Sequence, residues 1–86
     1  MTPYRIEWTS RAVRELGRLD IGAQGRVRRA VETLSTDPRR PGVKKLTGRG
    51  AEHRLRVGDY RVLFEIHDRL VLVHVVAVRK REDAYD

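Results

Sequence analysis

The stretch RLRVGDYRVLFEIH, residues 54–67, limits what this chain can fold into more than any other segment. Arg54 to Val57 alternates, Tyr60 to His67 alternates again, and Gly58-Asp59 between them is a two-residue turn signal with glycine in the position a type II′ turn demands. The segment is therefore a β-hairpin, and the turn fixes its register: Val57 opposite Tyr60, Arg56 opposite Arg61, Leu55 opposite Val62. Period two then gathers Leu55, Val57, Tyr60, Val62, Phe64 and Ile66 on the core face and Arg54, Arg56 and Arg61 on the other. Like charges directly opposite on a sheet cost from a few tenths to about 1 kcal/mol. Two facing arginines thus call either for a bound phosphate or for a solvated face on which Glu65 or Asp59 pairs with them locally.

The elements around the hairpin follow from periodicity. Tyr4, Ile6 and Trp8 alternate with Arg5 and Glu7, as in a half-buried strand. Thr9 or Ser10 offers an N-cap, and Ala12, Val13, Leu16 and Leu19 recur at helical spacing. Asp20 caps a second helix with Val27, Ala30, Val31 and Leu34 on one face, which Asp37-Pro38 stops. Residues 38–50, PRRPGVKKLTGRG, read as a loop with five basic residues and no acid. After a weaker turn at Asp68-Arg69, Leu70 to Val78 is apolar on both faces except for His74, as expected of a strand at the centre of a sheet. The order β-α-α-β-β-β predicts one α+β domain over residues 1–86: two N-terminal antiparallel helices packed on a small, mostly antiparallel four-stranded sheet.

Composition narrows the function. The 86 residues carry a formal charge of +7, and arginine far outnumbers lysine. Such an excess favours a polyanionic partner, and the guanidinium fork suits bidentate phosphate contact. A merely soluble basic surface is the plainer alternative. A domain this small has little room for a large cavity. With no cysteine, disulfides, thiolate zinc sites and cysteine nucleophiles are excluded. No apolar run has signal-peptide or membrane-spanning length, so a cytoplasmic location is expected.

The C-terminal run Arg79-Lys80-Arg81 continues the last strand, so Arg79 and Arg81 project to one side and Lys80 to the other. Tyr85 follows four residues after Arg81, either to stack on a base or transfer a proton, or simply to pack over the sheet edge. The three histidines, 53, 67 and 74, form no HExxH, so neither a dedicated metal site nor a metal cofactor is expected. His53 and His67 as an acid-base pair acting on RNA is conceivable beside their reading as ordinary strand residues. Gly48-x-Gly50 is too weak to be a phosphate loop.

The succession DPRRPGVKKLTG, RLRVGDYRVLFEI and a hydrophobic last strand closing on KREDAY resembles the RelE/ParE toxin superfamily of bacterial toxin-antitoxin systems. The likeness runs from YRIEWTSRAVREL to Tyr85, and its most specific piece is GDYR with an upstream R-x-R and a downstream Arg-x-x-x-Tyr. The RelE-like branch, as the resemblance implies, cleaves mRNA in the ribosome by attack of the ribose 2′-hydroxyl, without metal. By position, Arg61 would stabilise the developing charge, Arg81 would do likewise or protonate the leaving oxygen, and Tyr85 would stack on or orient the nucleotide. Arg54 and Arg56, with Lys44, Lys45 and Arg79, would supply RNA contacts.

The family pattern has lysine where this chain has Glu52 and Arg54, and arginine is a poor base because its pKa exceeds about 12. Glu52, His53 and Lys80 are the candidate general bases. The ParE-like branch, which inhibits DNA gyrase and is not a nuclease, shares the fold and GDYR. A basic RNA-binding module without toxicity is a third class. The resemblance also implies a RelB-like antitoxin partner, and an ending at Asp86 leaves no room for the final helix some relatives carry.

Overall fold

A computed structural model describes residues 2–46 and 52–80 of the chain. Strand β1 (Arg5–Trp8) leads into helices α1 (Ser10–Gly17) and α2 (Ile21–Glu32), the latter prolonged by a 3-10 turn at Thr33–Ser35. Strands β2 (Val43–Lys45), β3 (Glu52–Val57), β4 (Tyr60–His67) and β5 (Leu72–Lys80) follow among the described residues, with a 3-10 turn at Asp68–Leu70 between the last two. They form one five-stranded sheet in the order β1-β5-β4-β3-β2.

Both helices start where polar side chains can accept orphan amide hydrogens. Thr9 Oγ1 accepts from Ala12 N at 3.1 Å and Asp20 Oδ1 from Ala23 N at 2.8 Å. The helices cover one face of the sheet with Ala12, Val27, Val31 and Leu34, against Leu55, Val62, Phe64, Ile66, Val73, Val75 and Val78. Val13, expected on the apolar stripe of α1, is 54% exposed instead, and the helix stops at Gly17.

The hairpin registers as its turn dictates: Val57↔Tyr60, Arg56↔Arg61 and Leu55↔Val62. Gly58 sits at φ 58° while Asp59 keeps a negative φ, the combination a type II′ turn requires. Two expectations are corrected. The segment 38–50 is not wholly loop, because Val43–Lys45 pairs antiparallel with Leu55, Arg54 and His53, making five strands and not four. Three residues are too few to show alternation, and Gly42 at φ 100° turns the chain onto the edge, where the two lysines discourage further pairing. The central strand is β4, with β5 held between it and β1. The sheet is mostly antiparallel, as expected: β1 runs parallel to β5, Ile6↔Val73 and Trp8↔Val75, while the other pairings among the described residues are antiparallel.

Within β5 the register to β4 shifts: Leu63 faces Ala77 but Phe64 faces Val75, so Val76 is an extra residue, a β-bulge. Its carbonyl accepts a bond from Thr9 Oγ1 at 3.2 Å. The bulge resets parity, so that Val73 and Val75 point into the core before it and Val78 after it. Arg79 consequently lands on the face away from the helices.

The turn between β4 and β5 is longer than Asp68-Arg69 alone. Val71 closes it in the left-handed region at φ 49°, unusual for a β-branched residue, while its carbonyl accepts from Arg5 N at 2.8 Å. A polar clamp holds this turn. Asp68 accepts from Tyr4 Oη at 2.7 Å and from both Arg39 terminal nitrogens at 3.0 Å. The Arg39 guanidinium first, and then the Tyr4 hydroxyl, hold the Asp68 carboxyl down at about 2. The same contacts raise the pKa values of Arg39 and Tyr4.

Candidate nucleic-acid interface

The outer face of the sheet, opposite the helices, is organised in cross-strand rows. At one end Arg56 faces Arg61 and Arg61 faces Arg79, three arginines in register on β3, β4 and β5. The next row is Lys44, Arg54, Leu63 and Ala77. Arg56 is exposed, Arg54 and Arg79 are half-buried, and Arg61 is only 7% exposed. The middle guanidinium is thus fixed by its surroundings while its neighbours remain open to solvent. Directly opposed like charges repel across strands, and anions near the row lower that cost.

Of the residues singled out from sequence, this face carries Lys44, Glu52, Arg54, Arg56, Arg61 and Arg79. His53 lies on the helix-facing side, 6% exposed and stacked on Phe64 with ring centroids 5.6 Å apart. His53 and His67 are therefore on opposite faces of the sheet. Lys45, opposite His53, and Lys80, opposite Tyr60, also belong to the helix side. Arg81 and Tyr85 lie outside the described residues. Lys80 and Arg79 border a groove of ≈ 290 Å³ shared with Glu15, Arg18, Leu19 and Val78. Glu15 Oε1 accepts from Val78 N at 2.8 Å there, fastening the end of α1 to the edge of β5 that β1 leaves uncovered.

The opposite end of the same face has the reverse chemistry. Glu52 faces Glu65, Glu65 faces His74, and Glu7 faces His74 from β1. Glu65 Oε1 lies 3.0 Å from His67 Nε2 and 3.7 Å from His74 Nδ1. Glu65 thus serves the histidines and is two rows from Arg61. Motif spacings typical of helices and loops do not find this group. Its signature is an i, i+2 pair on a strand plus a cross-strand neighbour, which emerges only once the β4-β5 register is known.

Comparisons with known proteins agree with this architecture. The family described as the ParE toxin of type II toxin-antitoxin system, parDE, matches residues 6–85. A relative from Methanocaldococcus jannaschii, provisionally named toxin RelE1, is 26% identical over 87 residues, covering 95% of this chain and 94% of that one. Among solved structures, a chain of the RelBE2 toxin-antitoxin complex of Mycobacterium tuberculosis superposes with a TM-score of 0.82 at 31% identity, covering 92% of this chain and 99% of that one. A chain of the archaeal RelE-RelB complex of Pyrococcus horikoshii gives 0.81 at 28% identity, over 98% and 100%.

Proposed function

Because the chain belongs to the RelE/ParE superfamily of type II toxin-antitoxin toxins, we propose that it is an endoribonuclease that cleaves ribosome-bound mRNA. In this reading residues 1–86 form one RelE-like toxin domain that acts in the cytoplasm and is held inactive by a RelB-like antitoxin. The antitoxin is inferred from relatives solved as RelE-RelB and RelBE2 complexes.

The observation that carries the nuclease reading is the arginine row. A ribose 2′-oxygen attacks its own phosphodiester, the bond to the 5′-oxygen breaks, and a 2′,3′-cyclic phosphate and a 5′-hydroxyl result. The phosphorane passed on the way gathers negative charge, and a cation already fixed in place stabilises it without reorganising. Arg61, buried between Arg56 and Arg79, is our choice for that cation. Arg54, Arg56, Lys44 and Arg79 hold flanking phosphates. Glu52, His53 and Lys80 stay the candidate general bases; Glu52 alone of the three is on the outer face, though two rows from Arg61, so the row supplies the cation and not the base. Arg81 as acid and Tyr85 as a stacking group rest on the family likeness alone.

Incubation with programmed ribosomes followed by mapping of mRNA ends tests the reading. New ends are expected with the wild-type chain, and a loss of about 10²–10³-fold in cleavage with Arg61→Ala; intact message with the wild-type chain overturns it. A gyrase-inhibiting toxin is the second reading, favoured by the ParE description of the matching family. That reading predicts blocked DNA supercoiling with uncut mRNA.

A further inference from the structure

We propose that Glu65, His67 and His74 form a zinc-binding site on the outer face of the sheet, at the end remote from the arginine row. This goes beyond the nuclease reading and does not depend on it.

One ligand atom from each of the three residues falls within 4.8 Å of both others, and Glu65 Oε1 lies close to both His67 Nε2 and His74 Nδ1. At zinc bonds of about 2.0–2.1 Å, two ligand atoms of a tetrahedral ion stand about 3.3–3.4 Å apart. The carboxylate-imidazole separations of 3.0 and 3.7 Å bracket that edge. The imidazoles approach from adjacent strands, with ring centroids 6.4 Å apart and planes tilted by 51°, so small side-chain rotations bring both nitrogens onto one ion. All three side chains are between 35% and 39% exposed, leaving an entry path and a fourth position for water.

The donor set also selects the ion. Two imidazoles and one carboxylate suit zinc and its neighbours among transition metals, whereas calcium and magnesium want oxygen ligands throughout. Neutral imidazoles leave the triad with one negative charge against the +2 of the ion. Glu52, opposite Glu65, and Glu7, opposite His74, place further carboxylates in the same row. Bound zinc would tie β4 to β5 beside the left-handed turn at Val71 and stabilise the pairing of the two longest strands.

The full chain, purified without a polyhistidine tag, should bind one zinc ion by calorimetry. Zinc at 100 times its dissociation constant should raise the unfolding midpoint by about 10 °C or more. His67→Gln, His74→Gln and Glu65→Gln should each weaken zinc binding by about 10-fold or more, with far-ultraviolet circular dichroism confirming that each variant is folded. If His74→Gln does not fold, His67→Gln, at the exposed end of β4, decides the matter. Absence of zinc binding by the wild-type chain overturns the proposal, as does unchanged affinity in the folded variants, which would place the ion elsewhere.

Discussion

Arg61 and Glu65 are four residues apart on one strand, about 13 Å at the usual rise, yet they belong to surfaces of opposite kind. Around Arg61 the register brings Arg56 and Arg79; around Glu65 it brings Glu52 and His74, with Glu7 next in the row. A sheet face selected for stability alone would pair opposite charges across strands, each pair contributing a few tenths to about 1 kcal/mol. Here cations are aligned with cations at one end, and carboxylates with carboxylates and imidazoles at the other. The strands thus carry two surfaces of opposite charge on a single sheet face, the basis of the two binding sites proposed above.

The comparison can be broken at three levels. Phe64 lies between the two ends, fully buried on the helix side and stacked with His53. Phe64→Ala should cost about 3–5 kcal/mol in urea unfolding and disturb both ends together; retention of wild-type stability would mean that the ends do not share this support. Arg56→Ala touches only the exposed flank of the arginine row. It should weaken RNA binding similarly for all sequences and reduce the slope of log K against log salt by about 1, leaving the unfolding midpoint near that of wild type.

The smallest effect concerns the clamp at the turn beyond the carboxylate end. Asp68 has a carboxyl pKa of about 2 in the folded chain against an ordinary 3.8, so its charged form stabilises the fold. That contribution is complete above 3.8 and is lost as pH falls through about 2. Wild type should therefore exceed Asp68→Asn in thermal stability at neutral pH by a modest margin, since the pair is solvent-screened. The margin should vanish near pH 2. A margin independent of pH would assign the role of Asp68 to its hydrogen bonds alone.

Much of this arrangement is legible in the amino-acid order. Gly58-Asp59 sets the register that opposes Arg56 to Arg61, and the parity that buries Leu55 also places His53 inside, away from the arginines. Other features are hidden for identifiable reasons. Strand β2 is too short to alternate. The parallel partnership of β1 with β5 joins segments more than sixty residues apart, where no local pattern speaks. The group of Glu65, His67 and His74 depends on a register concealed behind an irregular turn and a uniformly apolar strand. Charge alone points to a polyanion and is silent about the carboxylate end, because a net +7 averages over both.

Val76 is the residue of β5 that has no counterpart on β4. Its side chain matters less than its bulged conformation: isoleucine or threonine there would keep the strand in phase. Were Val76 paired like its neighbours, regular alternation from Val75 would turn Ala77 and Arg79 toward the helices and Val78 away from them. The third arginine of the row thus owes its face to the one residue that β4 leaves unmatched, and a chain lacking that residue would keep Arg79 opposite Arg61 on a regular strand.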